Sequence, residues 1–513
     1  MKRAALVVCA LALLVAASGL MGRAESVLRV RLANEIVNLD YANSQSVSDI
    51  VVLYQVMEGL VEMDWTSSEM PIPIRGRLAK SYEVSQDGTQ ILFTIHEGIK
   101  FHRGYGELTA EDVAYSMKRI MDPVVKSRIA TYYAAVQSID VVGPYQVKVT
   151  LKDSSALTFI QALTWNGASY ITSKKAVEEL GADFNRRPIG TGPYQFASWS
   201  PGTGVYLEGF ADYWGAPEWG FGKPGYDKVE MLLIADDMIA LDALETGELD
   251  VVGLVGKGSV ERAQQMKDIT LTHAASGSWQ HLTAFNVKRP AVSDVRVRQA
   301  LAYGANLKAI ADRLGPMEEY WPCPFNPFVF SATTEFWHYD YNPEKAKQLL
   351  AEAGYPNGFT LKLIYPAVYL WGDVALELGH YWEQIGIEVD FEVIEYSLYA
   401  TVRREGDWDA SVASHTVFSP YLYAELYMTT AFRNYTGYGT LELDALIQEA
   451  AATPDPAQAE VLWREFQETV TNDLPYIWGP VQVAWFAISN DVAGVIPVAF
   501  STLVNLAAAH PAP

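Results

Sequence analysis

Cysteine is almost missing from this chain: Cys9 and Cys323 are the whole supply. Cys9 lies in an apolar leader, so no intrachain disulfide can staple the mature chain, and stability must come from packing. Basic residues are scarce as well, 38 Lys and Arg against 61 Asp and Glu, for a net charge of −23. So acidic a surface excludes nucleic acid and anionic membrane as partners. Ligand and catalytic spacings are absent. The eight histidines never fall at metal-ligand spacing, His96 and His102 being the closest pair. There is no HExxH, CxxC, GxSxG or phosphate loop, and Gly256-Lys-Gly-Ser lacks the lysine-to-hydroxyl step that such a loop needs. Carboxylates are plentiful, so a secreted glycoside hydrolase with a carboxylate pair stands as the enzymatic alternative. No stretch after the first 24 residues resembles a membrane span.

What is present begins with that leader. Lys2 and Arg3 precede an apolar run from Ala4 to about Gly22, and Gly22-Arg23-Ala24 offers small residues for cleavage. A signal peptide over residues 1–24 is expected, with the mature chain starting at Glu25; an uncleaved anchor is the other reading. Cys9 follows Leu6-Val7-Val8, with no small residue before it, and is poorly placed for lipid attachment.

The stretch from Leu78 to Pro123 organises the rest. Asp87-Gly88 marks a turn, and Ile91, Phe93 and Ile95 alternate as in a half-buried strand. Thr109 and Asp112 form a helix-start pair, Val113, Met117 and Ile120 follow at helical spacing, and Pro123 stops the run. A second alternating strand is read from Ile139 to Leu151, and a helix from Ala240 to Val252. Gly190-Thr-Gly-Pro-Tyr194 leads into a strand rather than a helix, which makes it a turn and not an anion site. Asn342-Pro343-Glu344 caps a helix that buries Ala346, Leu349, Leu350 and Ala353 and ends at Gly354.

The words of these segments are more specific than their periods. The order SxDG, FTIxxGIKFH and LTAEDVxxS closely resembles the extracytoplasmic solute-binding proteins of family 5, the peptide, nickel and oligosaccharide receptors of ABC importers. Glu35-x-x-x-Leu39-Asp40, the GTGPY turn, Asp212-Tyr-Trp214, Ala284-Phe-Asn-Val-Lys288, Gly386–Phe391, Gly406–Ala410 and Leu474–Trp478 continue the likeness in order along nearly the whole mature chain. The resemblance implies an α/β, two-lobed periplasmic-binding-protein fold (type II, the large cluster C form) with an inserted subdomain. Lobe I would comprise residues 25–58, 188–282 and 487–513, the insertion 59–187, and lobe II 283–486. It implies a monomeric exported receptor that binds a small organic solute, peptide-like or oligosaccharide, and delivers it to permease subunits, with no catalysis, cofactor or metal.

The likeness also supplies site candidates. Glu35 matches a ligand-facing position, with a solvated loop carboxylate as the alternative. Tyr396, Arg403 and Arg404 fall where oligopeptide receptors place ligand-facing groups; an arginine can grip a carboxylate bidentately. The aspartate that holds a peptide's ammonium in the family is missing: Thr416 stands four residues before Pro420, and no Asp or Glu lies between Asp409 and Glu425. His415 sits beside that gap. Of 14 tryptophans, Trp165, Trp279, Trp321 and Trp371 are expected near the cleft, and Trp214, Trp408 and Trp478 in the core. The missing carboxylate predicts that ordinary peptides bind poorly.

Overall fold

A computed structural model of the chain describes residues 25–513, apart from 45, 68, 165–166, 368–369 and 417–418 and the side chains of 276 and 278. The expected signal segment and Trp165 therefore lie outside the described residues. Among the described residues, no helix is long and apolar enough to cross a membrane.

Two strands of unusual length organise the molecule, Ile269–Phe285 with 17 residues and Tyr476–Ser489 with 14. At the usual rise the longer spans on the order of 50 Å. They pair antiparallel at the centre of an eleven-stranded sheet. On one flank run Ala410–His415, Thr360–Tyr365 and Glu388–Val393, joined by parallel ladders. On the other run Val251–Leu254, Val27–Leu32 and Lys228–Leu233, followed by the antiparallel hairpin of Gly204–Gly209 and Tyr194–Ser200. Residues 280–285 pair with the first flank, whereas residues 485–488 pair with the second. Each long strand thus belongs to one half of the protein at one end and to the other half at its opposite end.

A separate four-stranded antiparallel sheet carries Ala79–Val84, Gln90–Ile95, Gln146–Leu151 and Val136–Gly143 in that order. Ile91, Phe93 and Ile95 are buried in it, and Val113, Met117 and Ile120 of the Ala110–Met121 helix are buried as well. The Asp112 carboxylate accepts from the Thr109 amide and hydroxyl, at 3.1 and 2.9 Å, fixing where that helix starts. The single strand read over 139–151 is in fact a hairpin. Gly143-Pro144-Tyr145 turns the chain, because proline cannot donate to a ladder. The helix read over 240–252 occupies Asp237–Glu245 and stops at Gly247, whose φ is +77°. Val251 and Val252 instead form a fully buried strand, the environment that suits β-branched side chains. The Asn342 cap is as expected, its side chain accepting from the Lys345 amide at 2.9 Å.

Candidate functional site

The ladder between the two long strands is irregular at one place. Its register shifts between His273 and Gly277, between Gly277 and Trp279, and between Gln280 and Leu282. Bulges of this kind bend a strand and re-aim its side chains. They fall where the strands pass from one half of the molecule to the other, the position of a hinge. Gly277 permits the close approach there: a Cβ at this residue would lie 2.5 Å from Val481 Cγ2.

A cavity of about 530 Å³ opens against this bend. Its floor comes from Trp279, His281 and Gln482 of the crossing strands, with Leu254 contributed by one flank and Trp371 and Ser414 by the other. Among the described residues, no Asp, Glu, Lys or Arg lines it. The floor is nevertheless close to charge. Glu318, in a short strand that pairs with the second long strand, places a carboxylate oxygen 3.3 Å from His281 Nε2. Both side chains are almost wholly buried, 4 % and 0 % exposed. They are near enough for an ion pair but misaligned for a hydrogen bond, and neither ring nitrogen nor carboxylate oxygen has a hydrogen-bond partner among the described residues.

The sequence-predicted residues do not gather at one point. Trp279 lines the cavity. Tyr396, 52 % exposed, stands beside it with its ring 5.9 Å from that of Trp371. Glu35 is exposed and uses its carboxylate locally, accepting from the Gly202 amide at 2.9 Å and the Ile36 amide at 3.2 Å, although its neighbours Ala33 and Asn34 line the cavity. Arg403 lies over the Tyr435 ring at 4.0 Å and Arg404 over Phe432 at 3.9 Å, at the C-terminal end of the Tyr396–Glu405 helix. His415 packs edge-on against Tyr423. Burial, with Arg433 nearby, holds its pKa down to about 3, so the ring is neutral. Successive strand residues face opposite ways. Because Ser414 faces the Trp279 cavity, His415 points away from it. His415 Nε2 and Thr416 Oγ1 are buried without a hydrogen-bond partner among the described residues. Leu422 and Arg433, close to His415, border a separate crevice of about 800 Å³ against Thr131 and Phe159. Trp408 and Trp478 are fully buried, as core positions should be. Among the described residues, no group of three or more metal-ligating side chains comes together.

Residues 73–437 match the family described as bacterial extracellular solute-binding proteins, family 5 Middle. The chain belongs to that family. Heme-binding protein A of Haemophilus influenzae is 26 % identical over 483 residues, covering 87 % of this chain and 85 % of the relative. Glutathione-binding protein GsiB of Shigella flexneri is 27 % identical over 484 residues, covering 91 % of each. Among solved structures, HbpA2 from Haemophilus parasuis superposes with a TM-score of 0.84 at 24 % identity, covering 95 % of this chain and all of that one. MoaA of A. tumefacien R10, in complex with mannopinic acid, gives 0.73 at 24 % identity, covering 95 % and 100 %. These superpositions bear on the fold, which is the two-lobed α/β architecture of family 5 receptors. Family members are binding proteins rather than enzymes.

Sequence reasoning missed His281, Glu318, Ser414 and Gln482 in this family 5 receptor. One signal was available for His281: it stands two residues after Trp279 in a strand, which puts both on one face. Glu318 carries no such mark, since register alone brings it beside His281.

Proposed function

We propose that the chain is the exported, monomeric receptor of an ABC importer. It captures a peptide-like or other organic solute between its lobes, hands it to permease subunits in the membrane and does not turn it over. The observation that carries this reading is the cavity against the bulged crossing strands, with walls from both halves and a volume suited to a small solute. On this reading lobe I is 25–58, 188–282 and 487–513, the insertion 59–187 and lobe II 283–486, with a cleavable signal over 1–24. The missing aspartate near Thr416 and the lack of charged lining residues argue against ordinary di- and tripeptides. The relatives named for heme and glutathione, and the neighbour solved with mannopinic acid, support an organic solute without fixing its class. An oligosaccharide is the second reading, favoured by Trp279 and Trp371 in the walls.

The test is a solute panel of peptides, N-acetylated peptides, oligosaccharides, opines and amines, read by thermal shift and small-angle scattering. A true ligand raises the melting temperature with occupancy and contracts the particle. Catalytic conversion of a panel member that persists through repurification would overturn the reading.

A further inference from the structure

Within that receptor reading, on which this inference rests, we infer that the His281–Glu318 pair is the charge-reading element of the cleft. The ligand it selects is an organic cation, an amine or quaternary ammonium compound without a carboxylate of its own.

The argument begins with register. Trp279 and Glu318 are both paired with Gln482, from opposite sides of the same strand. Residues directly opposite in an antiparallel ladder present their side chains to the same face. Trp279, Gln482 and Glu318 therefore form one row across three strands, and its first two members line the cavity. His281, two residues beyond Trp279, joins that face and also lines the cavity. The carboxylate of Glu318, itself fully buried and not part of the lining, stands 3.3 Å from His281 Nε2, behind a ring that does line the cavity.

A buried carboxylate without hydrogen bonds is costly unless a charge or donor answers it. Both Glu318 oxygens and both His281 nitrogens lack hydrogen-bond partners among the described residues. His281, the member of the pair that lines the cavity, thus offers unused hydrogen-bonding capacity to an occupant, with the Glu318 carboxylate behind it. Among the described residues, no lysine or arginine lines the site to answer a ligand carboxylate. The acidic side chain beside His281 is Glu318, and two tryptophans stand in the walls. Aromatic walls with a negative charge behind them attract cations, the more strongly where water is excluded. Glu318 thereby supplies, from a different strand, the negative charge that the chain lacks near Thr416. A zwitterionic peptide would still leave its own carboxylate unanswered in this cavity.

Titrate the mature protein with tyramine, choline and spermidine, and with neutral and anionic controls, cellotriose and 4-hydroxyphenylacetate. Calorimetry and tryptophan fluorescence report binding. At least one cation should bind the wild type, and Glu318→Gln should weaken it about 10- to 100-fold, because the carboxylate behind His281 is lost. Glu318→Asp should retain part of that affinity, and His281→Asn should behave like Glu318→Gln. Circular dichroism and urea midpoints check that each variant is folded; His281→Asn serves alone if Glu318→Gln is not. Cation binding unchanged in folded Glu318→Gln or His281→Asn overturns the inference. So does binding of only neutral or anionic probes, and that result leaves the receptor reading standing. Absence of cation binding to the wild type also overturns the inference. The receptor reading falls only if the wider solute panel produces no binding and no contraction.

Discussion

Arg77 Nη2 lies 2.7 Å from Glu58 Oε1, and each side chain is only 3 % exposed. The same oxygen accepts from Arg77 Nε at 2.9 Å and from the Tyr213 hydroxyl at 3.1 Å. The other accepts from the Thr191 hydroxyl at 2.8 Å and the Trp214 indole N–H at 2.9 Å. Two of the motifs that carry the family resemblance, Gly190–Tyr194 and Asp212–Trp214, therefore meet on one buried carboxylate. At this point they are structural, joining the segment that leads into the four-stranded sheet to the loops around Thr191 and Tyr213.

Replacing Glu58 with Ala leaves Arg77 buried, with Glu62 at 3.9 Å as its remaining counter-charge. A loss of about 3–5 kcal/mol is expected, the usual cost of breaking a buried pair from one side. The double variant Glu58→Gln with Arg77→Met should recover part of it, because the buried guanidinium is gone and only the more exposed Glu62 loses a counter-charge. Urea unfolding of the three proteins measures this. Equal stability of wild type and Glu58→Ala would contradict it.

Acid should destabilise the protein through His102. That ring is buried, its Nδ1 accepts from the Gly190 amide at 3.3 Å, and its Nε2 lies 2.9 Å from the Gly192 carbonyl. Nε2 therefore carries the hydrogen, and protonating Nδ1 would break the Gly190 bond. Burial holds the pKa down to about 4, against 6.5 in the unfolded chain. The neutral ring's stabilisation is thus complete above about pH 6.5 and is lost as the pH falls toward 4, by roughly 3 kcal/mol. His415, held down to about 3, acts in the same sense. Urea midpoints from pH 7 to pH 4 should fall for the wild type and fall less steeply for His102→Gln.

Gly277→Ala places a methyl 2.5 Å from Val481 Cγ2, where the two crossing strands lie closest to the bend. Overpacking of this kind costs about 1–3 kcal/mol. On the receptor reading, closure bends the crossing strands here, so the contraction seen by scattering on ligand addition should shrink. A variant that contracts as fully as the wild type would place the bend elsewhere.

Cys323 is fully buried, and burial pushes its thiol up to about 12. Its sulfur lies 3.4 Å from Gln467 Oε1. Native mature protein should not react with a chromogenic disulfide reagent, and unfolded protein should release one equivalent, from Cys323. Rapid labelling without denaturant would show that this core opens readily.

Much of the scaffold was readable because its signals are local. Ile91, Phe93 and Ile95 alternate, Asn342-Pro343 caps a helix, and each marks its element with neighbours a few residues away. The two misread segments failed at breaks, Gly143-Pro144 and Gly247, where a continuous apolar pattern hid a change of structure. The candidate site was legible only in part, for a different reason. Trp279 was found because a tryptophan in a strand invites attention. Glu318 comes beside His281 only through its pairing with Gln482, a partner far away in the chain. Arg403 and Arg404 matched a family position, yet their side chains rest on Tyr435 and Phe432. A motif match locates a backbone position and leaves the direction of its side chain open.

The placement of Tyr476–Ser489 has a consequence for how the molecule comes into being. This strand lies between Ile269–Phe285 and Val251–Leu254, and no direct ladder joins those two. Until Tyr476–Ser489 pairs, the sheet is split down its middle and each part has a bare edge. Closing it requires pairing between segments far apart in the chain, and such non-local pairing is slow. The completion of both halves therefore waits on one strand.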